Sequence, residues 1–251
     1  MIFFRSKYKR IIMSVLGFVT IGFGIALMRV IDLGIDPFGA MTLGFSELTG
    51  ISFGTFLWIC HSPVFLIMLW RTRRLIGIGT VLGMFIVGYT IDFFYFVASL
   101  TPVLDMEPHI AVRLAALFIA LIIFAFGIAL YMVADIGTVP YDACGVIIEE
   151  ATKGKFKFRW ARVMMDGICA LVAFLLGVTL GIATILTVFC LGPFISFFRG
   201  KIELFLPPDI SNVNNLRIYP SQRQRGHRGK PPFPSLRVLC EGNVFLSCCP
   251  P

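Results

Sequence analysis

Charge is what this sequence has least of. Asp, Glu, Lys and Arg make up 14% of its 251 residues, against 57% hydrophobic. A soluble domain carries about 25% charged residues, so a water-facing globule is excluded as the form of most of the chain. Cysteine chemistry is missing as well. Seven cysteines are present, but none falls in C-x-x-C or beside a histidine at a ligand spacing, which excludes a zinc or dithiol motif. Cys60, Cys144, Cys169 and Cys190 sit in apolar sequence, where a free thiol packs as a small hydrophobe. No phosphate loop, nucleophile elbow, HExxH or paired-carboxylate motif occurs. No enzyme, catalytic residue, metal or cofactor is therefore expected, and no nucleic-acid partner.

Long apolar runs are what the chain has in abundance. They cover residues 11–30, 53–70, 75–97, 114–133, 163–176 and 182–198. A transmembrane helix needs roughly 20 residues, with about 17 tolerated. Five runs reach that length. The run at 163–176 reaches it only as a helix from about Trp160 to Val178. Arg5, Lys7, Lys9 and Arg10 before the first run resemble the start of a secretory signal. That reading is set aside, because the run is too long, lacks a small-residue cleavage site and is followed by five more.

The sequence repeats itself. FGIALMRVIDLGIDP from Phe23 and FGIALYMVADIGTVP from Phe126 share FGIAL and then D-x-G-x-x-P, at an offset of 103 residues. Phe38 aligns with Tyr141, Thr49 with Thr152 and Phe53 with Phe156; further on, GYTIDFF from Gly88 aligns with GPFISFF from Gly192 at an offset of 104. The expected organisation is a basic N-terminus at 1–10, a first three-span copy at 11–98, an external loop at 99–113 and a second three-span copy at 114–200. A basic tail follows at 207–251, read as a disordered appendage in preference to a polybasic lipid or nucleic-acid contact.

Lys and Arg mark the cytoplasmic loops. The N-terminus, the connection with Arg71, Arg73 and Arg74, the stretch from Lys153 to Arg162, and the end with Arg199 and Lys201 are basic. The segment with Asp32, Asp36 and Glu47 and the loop with Asp105 and Glu107 are acidic. The two termini are accordingly expected in the cytoplasm. Three is an odd number, so the second copy would enter upside down, as an inverted repeat. The fold class read from the sequence is an all-α membrane protein of six transmembrane helices in two inverted three-span repeats.

Each copy also holds a short amphipathic or re-entrant half-helix, from Pro37 and from Pro140, about 20 Å long at 1.5 Å per residue. Phe38, Met41, Phe45 and Leu48 form an apolar stripe on the first; Tyr141, Cys144, Ile148 and Ala151 repeat it on the second. The alternative is a helix lying on the membrane surface without a ligand. Exposed N-termini of paired half-helices attract anions, but Asp36 and Asp142 already answer the helix dipoles. A cation or proton held near Asp32, Asp36, Asp135 and Asp142 is equally consistent.

Asp166 lies within the fifth run and aligns with Pro63 of the second, and ionisable groups in spans face an interior or an aqueous cavity. Its structural alternative is a pair with Arg159 or Arg162 one turn back. Asp92 is expected at an interface, Arg29 to snorkel outward, and His61 either to titrate or to pack beside Ser62 and Pro63. The candidate substrate or ion site is Asp32, Asp36, Asp135, Asp142, Asp166 and His61, with Gly34, Pro37, Gly137 and Pro140 as the structural motif. Gly79 with Gly83, and Gly177 with Gly181, give the GxxxG spacing of close helix packing, within the chain or in a homo-oligomer.

The repeated D-x-G-x-x-P, the GISFGT from Gly50 and the GIGT from Gly77 resemble the YitT/YczE family of bacterial membrane proteins, over residues 14–200. The resemblance implies a polytopic protein of the cytoplasmic membrane, in a family often labelled as transporters and without established catalytic residues to carry over. The tail departs from the family pattern. The partners expected are the lipid bilayer and an unknown small solute or ion. Three functions stay open: a small secondary transporter or permease, a non-transporting scaffold or regulatory partner of another protein, and the substrate-capturing subunit of a larger importer.

Overall fold

The computed structural model describes residues 2–101, 109–152, 155–156 and 158–205. The loop acids Asp105 and Glu107 and the tail at 207–251 lie outside the described residues. Those described are all-helical apart from their connections. In chain order they form α1 (Ile2–Ile31), α2 (Pro37–Thr49), α3 (Phe53–Arg71), a 3-10 turn at Arg73–Leu75, α4 (Ile78–Ser99), α5 (Ile110–Ala134), α6 (Pro140–Ala151), α7 (Phe158–Leu175) and α8 (Ile182–Phe205).

Five helices, α1, α3, α4, α5 and α8, are long and apolar enough to cross a membrane. The expected sixth, α7, is 18 residues long and carries Arg159, Arg162 and Asp166, which sets it apart from the five. Its outward stripe is nevertheless apolar: Trp160, Met164, Ile168, Leu171 and Leu175 are exposed, while Ala161, Asp166, Cys169 and Ala173 are buried. Elsewhere Trp70, Phe93, Phe96, Ile119 and Phe189 are also exposed. Such a surface is an aggregation hazard in water and a solvated one in lipid.

The core is built around α1 and α5, the two FGIAL helices, which pack on each other; α4 packs on α1, and α8 on α5. Lipid tails are as apolar as leucine, so helices in a bilayer associate by close packing rather than by water exclusion. Gly17 and Gly127 make that approach possible, since a Cβ on Gly17 would stand 2.9 Å from the Gly127 carbonyl oxygen. Arg113 of α5 closes the other end of the pair, donating to the carbonyls of Ile31 (2.7 Å) and Asp32 (2.8 Å) at the C-terminus of α1.

The D-x-G-x-x-P motif is a helix-to-helix turn used twice. Asp32 and Asp135 adopt left-handed backbone (φ 54° and 49°) and end α1 and α5; short polar side chains tolerate that region better than most. Gly34 and Gly137 continue at φ 95° and 134°, and Pro37 and Pro140 start α2 and α6. The two turns are held reciprocally. The Gly79 N–H donates to the Ile136 carbonyl (3.0 Å), and the Ala183 N–H donates to the Leu33 carbonyl (3.0 Å). Each copy's GIGT or GIAT segment thus clasps the other copy's turn.

The short helices follow the same exchange. Both α2 and α6 pack on α3 and α7, one from each copy. Of the expected apolar stripe, Phe38 and Met41 are half-buried against the core. In α2 the buried positions are Pro37, Gly39, Ala40, Thr42, Gly44 and Ser46, whereas Leu48 of the stripe is exposed. Small residues go inward because the neighbouring chain comes close: a Cβ on Gly44 would stand 2.8 Å from the Leu176 side chain. The second GxxxG pair is likewise not a helix face, since Gly177 and Gly181 lie in the α7–α8 connection.

Candidate functional site

Where the N-termini of α2 and α6 approach each other, the equivalent residues Phe38 and Tyr141 stack with ring centroids 4.5 Å apart. Beside them lies a cavity of about 80 Å³, whose polar lining is Asp36, His61, Tyr131, Tyr141, Asp142, Arg162, Asp166 and Thr187. Its walls are apolar side chains of α1, α3, α4, α5 and α8, including Ile21, Leu57, Val87, Phe124 and Leu191. About 10–15 Å³ of such space holds one water, so the cavity accommodates a group of roughly five to eight heavy atoms.

Asp36 reaches the cavity because it is the N-cap of α2. Its Oδ2 accepts from the Gly39 N–H at 2.9 Å, while its Oδ1 is buried with no hydrogen-bond partner. Burial raises the Asp36 carboxyl above its ordinary range, opposed in part by the Gly39 hydrogen bond. The N-cap of α6 is Val139, which offers no side-chain cap. The acid there is Asp142, one turn in, and it faces side chains of other helices. Arg162 of α7 forms an ion pair with Asp142 Oδ1, and the Tyr131 hydroxyl of α5 donates to its Oδ2. Asp142 is 7% exposed, so the guanidinium and phenol supply what water would.

Asp166 is also 7% exposed and accepts a hydrogen bond from the Tyr141 hydroxyl. The ion pair of Arg162 is with Asp142 of α6 and not with Asp166; the Arg159 side chain lies outside the described residues. His61, 5% exposed, directs Nδ1 at the Leu57 carbonyl (2.7 Å) and lies edge-on to Phe38. With the Nδ1–H donated there, Nε2 is left as an acceptor.

Of the residues singled out in the sequence, Asp36, Asp142, Asp166 and His61 line this one cavity, with Pro37 of the motif. Asp32 and Asp135 do not; they end helices, as described above. Asp92, expected at an interface, accepts from the Gly54 N–H (2.9 Å) and so caps the first turn of α3 from α4. Arg29, expected to snorkel, lies over the Tyr95 ring at 3.9 Å. Arg162, Tyr131 and Tyr141 were not among the expected site residues. The signal that would have found them is difference between the copies, since their aligned positions are Ile59, Met28 and Phe38.

Described residues that are helical apart from their connections, with five apolar helices of spanning length and a cavity lined by both charged and apolar side chains among them, define a multi-pass membrane protein. Residues 8–200 match a family of unknown function, DUF6198, and the chain belongs to it. An uncharacterized protein of Haemophilus influenzae is 24% identical over 198 residues, covering 78% of this chain and 86% of its own. The "Uncharacterized protein YyaS" of Bacillus subtilis is 28% identical, covering 70% and 85%. The "Uncharacterized membrane protein YczE" of the same organism is 26% identical, covering 72% and 81%. The likeness to YczE read from the motifs is therefore borne out. No solved structure gives a significant match.

Proposed function

We propose that this protein is a small secondary transporter or permease of the cell membrane, with six spans arranged as two inverted three-span repeats and the solute site between them. The observation that carries the reading is the cavity itself: both half-helix N-termini, one from each copy, meet at it. Discontinuous helices that converge in this way at the interface of inverted repeats are how many secondary transporters build their substrate sites.

Three further features support the arrangement. The clasps of Gly79 on Ile136 and Ala183 on Leu33 are reciprocal, as a two-fold relation between the copies requires. The outward apolar stripe of α7 suits lipid, and Arg162 and Asp166 turn inward, which supports α7 as the sixth span. Arg74, in a connection assigned to the cytoplasm by its charge, pairs with Glu150 at the end of α6. That supports a cytoplasmic position for the end of α6, together with both termini.

No catalytic role is proposed, and the partners are the bilayer and a small solute. The test is flux in liposomes containing the full chain: a solute is moved by the wild type and not by a folded Asp166→Asn variant. A screen that finds no flux, together with co-purification of one stoichiometric protein, would replace this reading by the scaffold. Flux that appears only with an energising subunit would replace it by the importer subunit. Inversion is tested separately by cysteines at Glu47 and Glu149, which should label from opposite faces; labelling from the same face removes the basis of the argument.

A further inference from the structure

The charges of the cavity do not balance. Three carboxylates, Asp36, Asp142 and Asp166, face a single permanent cation, Arg162. That cation is bound to Asp142, whose second oxygen is taken by Tyr131. Asp166 has the Tyr141 hydroxyl. Asp36, which also lines the cavity, caps α2 with one oxygen, and its other oxygen is buried without a partner in the protein. An ionised carboxylate held in low dielectric without a counter-charge costs several kcal/mol, so a cation beside Asp36 is what lets it stay charged among the other two carboxylates. With Nδ1–H given to Leu57, His61 Nε2 is an acceptor as well. Arg162 could attract an anion in isolation, but an anion here would stand among two further carboxylates.

The rest of the lining sets the form of the cation. The walls are aliphatic and aromatic, with Ile21, Leu57, Phe124 and Ile128 among them. Aromatic faces favour positive charge and aliphatic walls favour a carbon body. The carboxylates do not converge on one point: among the described residues no three His, Cys, Asp or Glu side chains are placed together to hold a metal ion.

We propose that the cavity takes a small organic ammonium of roughly five to eight heavy atoms, with its N–H groups donated to Asp36 and its carbon body against the apolar walls. This rests on the transporter reading of the same site and names its substrate class. Asp36 serves as a binding residue and as a helix cap at once, and the two roles use different oxygens.

The experiment is calorimetric titration of the purified full chain in lipid nanodiscs with n-butylammonium, butyrate, n-butanol and tetramethylammonium. Butylammonium is expected to bind, and tetramethylammonium, which has no N–H, to bind more weakly. Asp36→Asn keeps the cap, since Asn and Asp cap equally well, but should weaken butylammonium about tenfold or more, as loss of a charge-assisted hydrogen bond implies. Asp32→Asn, away from the cavity, should bind as the wild type does. Butyrate or butanol binding as tightly as butylammonium overturns the proposal; so does equal affinity in Asp36→Asn, or no binding of butylammonium to folded wild type. Binding without counterflow of butylammonium in liposomes sinks transport and leaves the ligand class standing. Flux of an anionic or neutral solute, with no ammonium binding, does the reverse.

Discussion

Where the second copy has Tyr131, Tyr141, Asp142, Arg162 and Asp166, the first has Met28, Phe38, Gly39, Ile59 and Pro63. The residues that shape the backbone are shared by both copies, in the D-x-G-x-x-P turn, the glycines that let the chains touch, and the two prolines that begin the short helices. The comparison separates two kinds of constraint. A turn must be made in each copy, so its residues are kept twice. A cavity at the junction of the copies is shared, and a doubled set would bring like charges together in low dielectric. One copy therefore carries most of the polar groups, while the first contributes Asp36 and His61.

The largest effect that could break this comparison is at the ion pair. Arg162→Met leaves Asp142 buried and uncompensated, an expected loss of about 3–5 kcal/mol in stability. Its counterpart Ile59→Met, at a partly exposed position, should change stability by no more than about 0.5 kcal/mol. Denaturant unfolding of the two variants in micelles reads the difference, and equal effects would mean that the polar set is not structurally asymmetric.

The shared half of the comparison is sharpened at the turns. Gly34→Ala and Gly137→Ala each place a side chain at positive φ, at a cost of about 1–3 kcal/mol, and the two losses should be alike. Markedly unequal midpoints would show that the turns are not equivalent. A smaller contrast is expected at the stacked pair. Tyr141→Phe removes the donor to Asp166, at about 1–3 kcal/mol, whereas Phe38→Leu loses only ring contacts, about 0.5–1.5 kcal/mol. The smallest effect is at the helix starts. Asp36→Ala removes the α2 cap for about 1 kcal/mol, and Asp36→Asn should restore the melting temperature.

Much of this site was legible in the sequence, through residues that are out of place. Asp36, Asp142, Asp166 and His61 are polar groups in apolar stretches, and lipid makes such groups costly unless they are enclosed. Tyr131 and Tyr141 were not legible, because a tyrosine in an apolar run reads as core. Arg162 was read as a loop charge or as the partner of Asp166, since spacing along one helix says nothing about a helix from elsewhere in the chain. Asp32 and Asp135 misled for the opposite reason. Their repetition signalled importance, but the importance is a left-handed backbone that ends a helix.

The sequence by itself determined that the chain is helical and apolar, that it contains two related halves, and that each half has a short helix introduced by proline. Those features follow from composition, periodicity and local backbone preference, which act over a few residues. Packing between distant elements decided which carboxylate meets Arg162, which tyrosine meets which acid, and that Asp36 keeps one buried oxygen without a partner in the protein. Each of these depends on how α2, α5, α6 and α7 come together across an offset of about a hundred residues, and pairings at that distance are fixed by packing rather than by spacing along the chain.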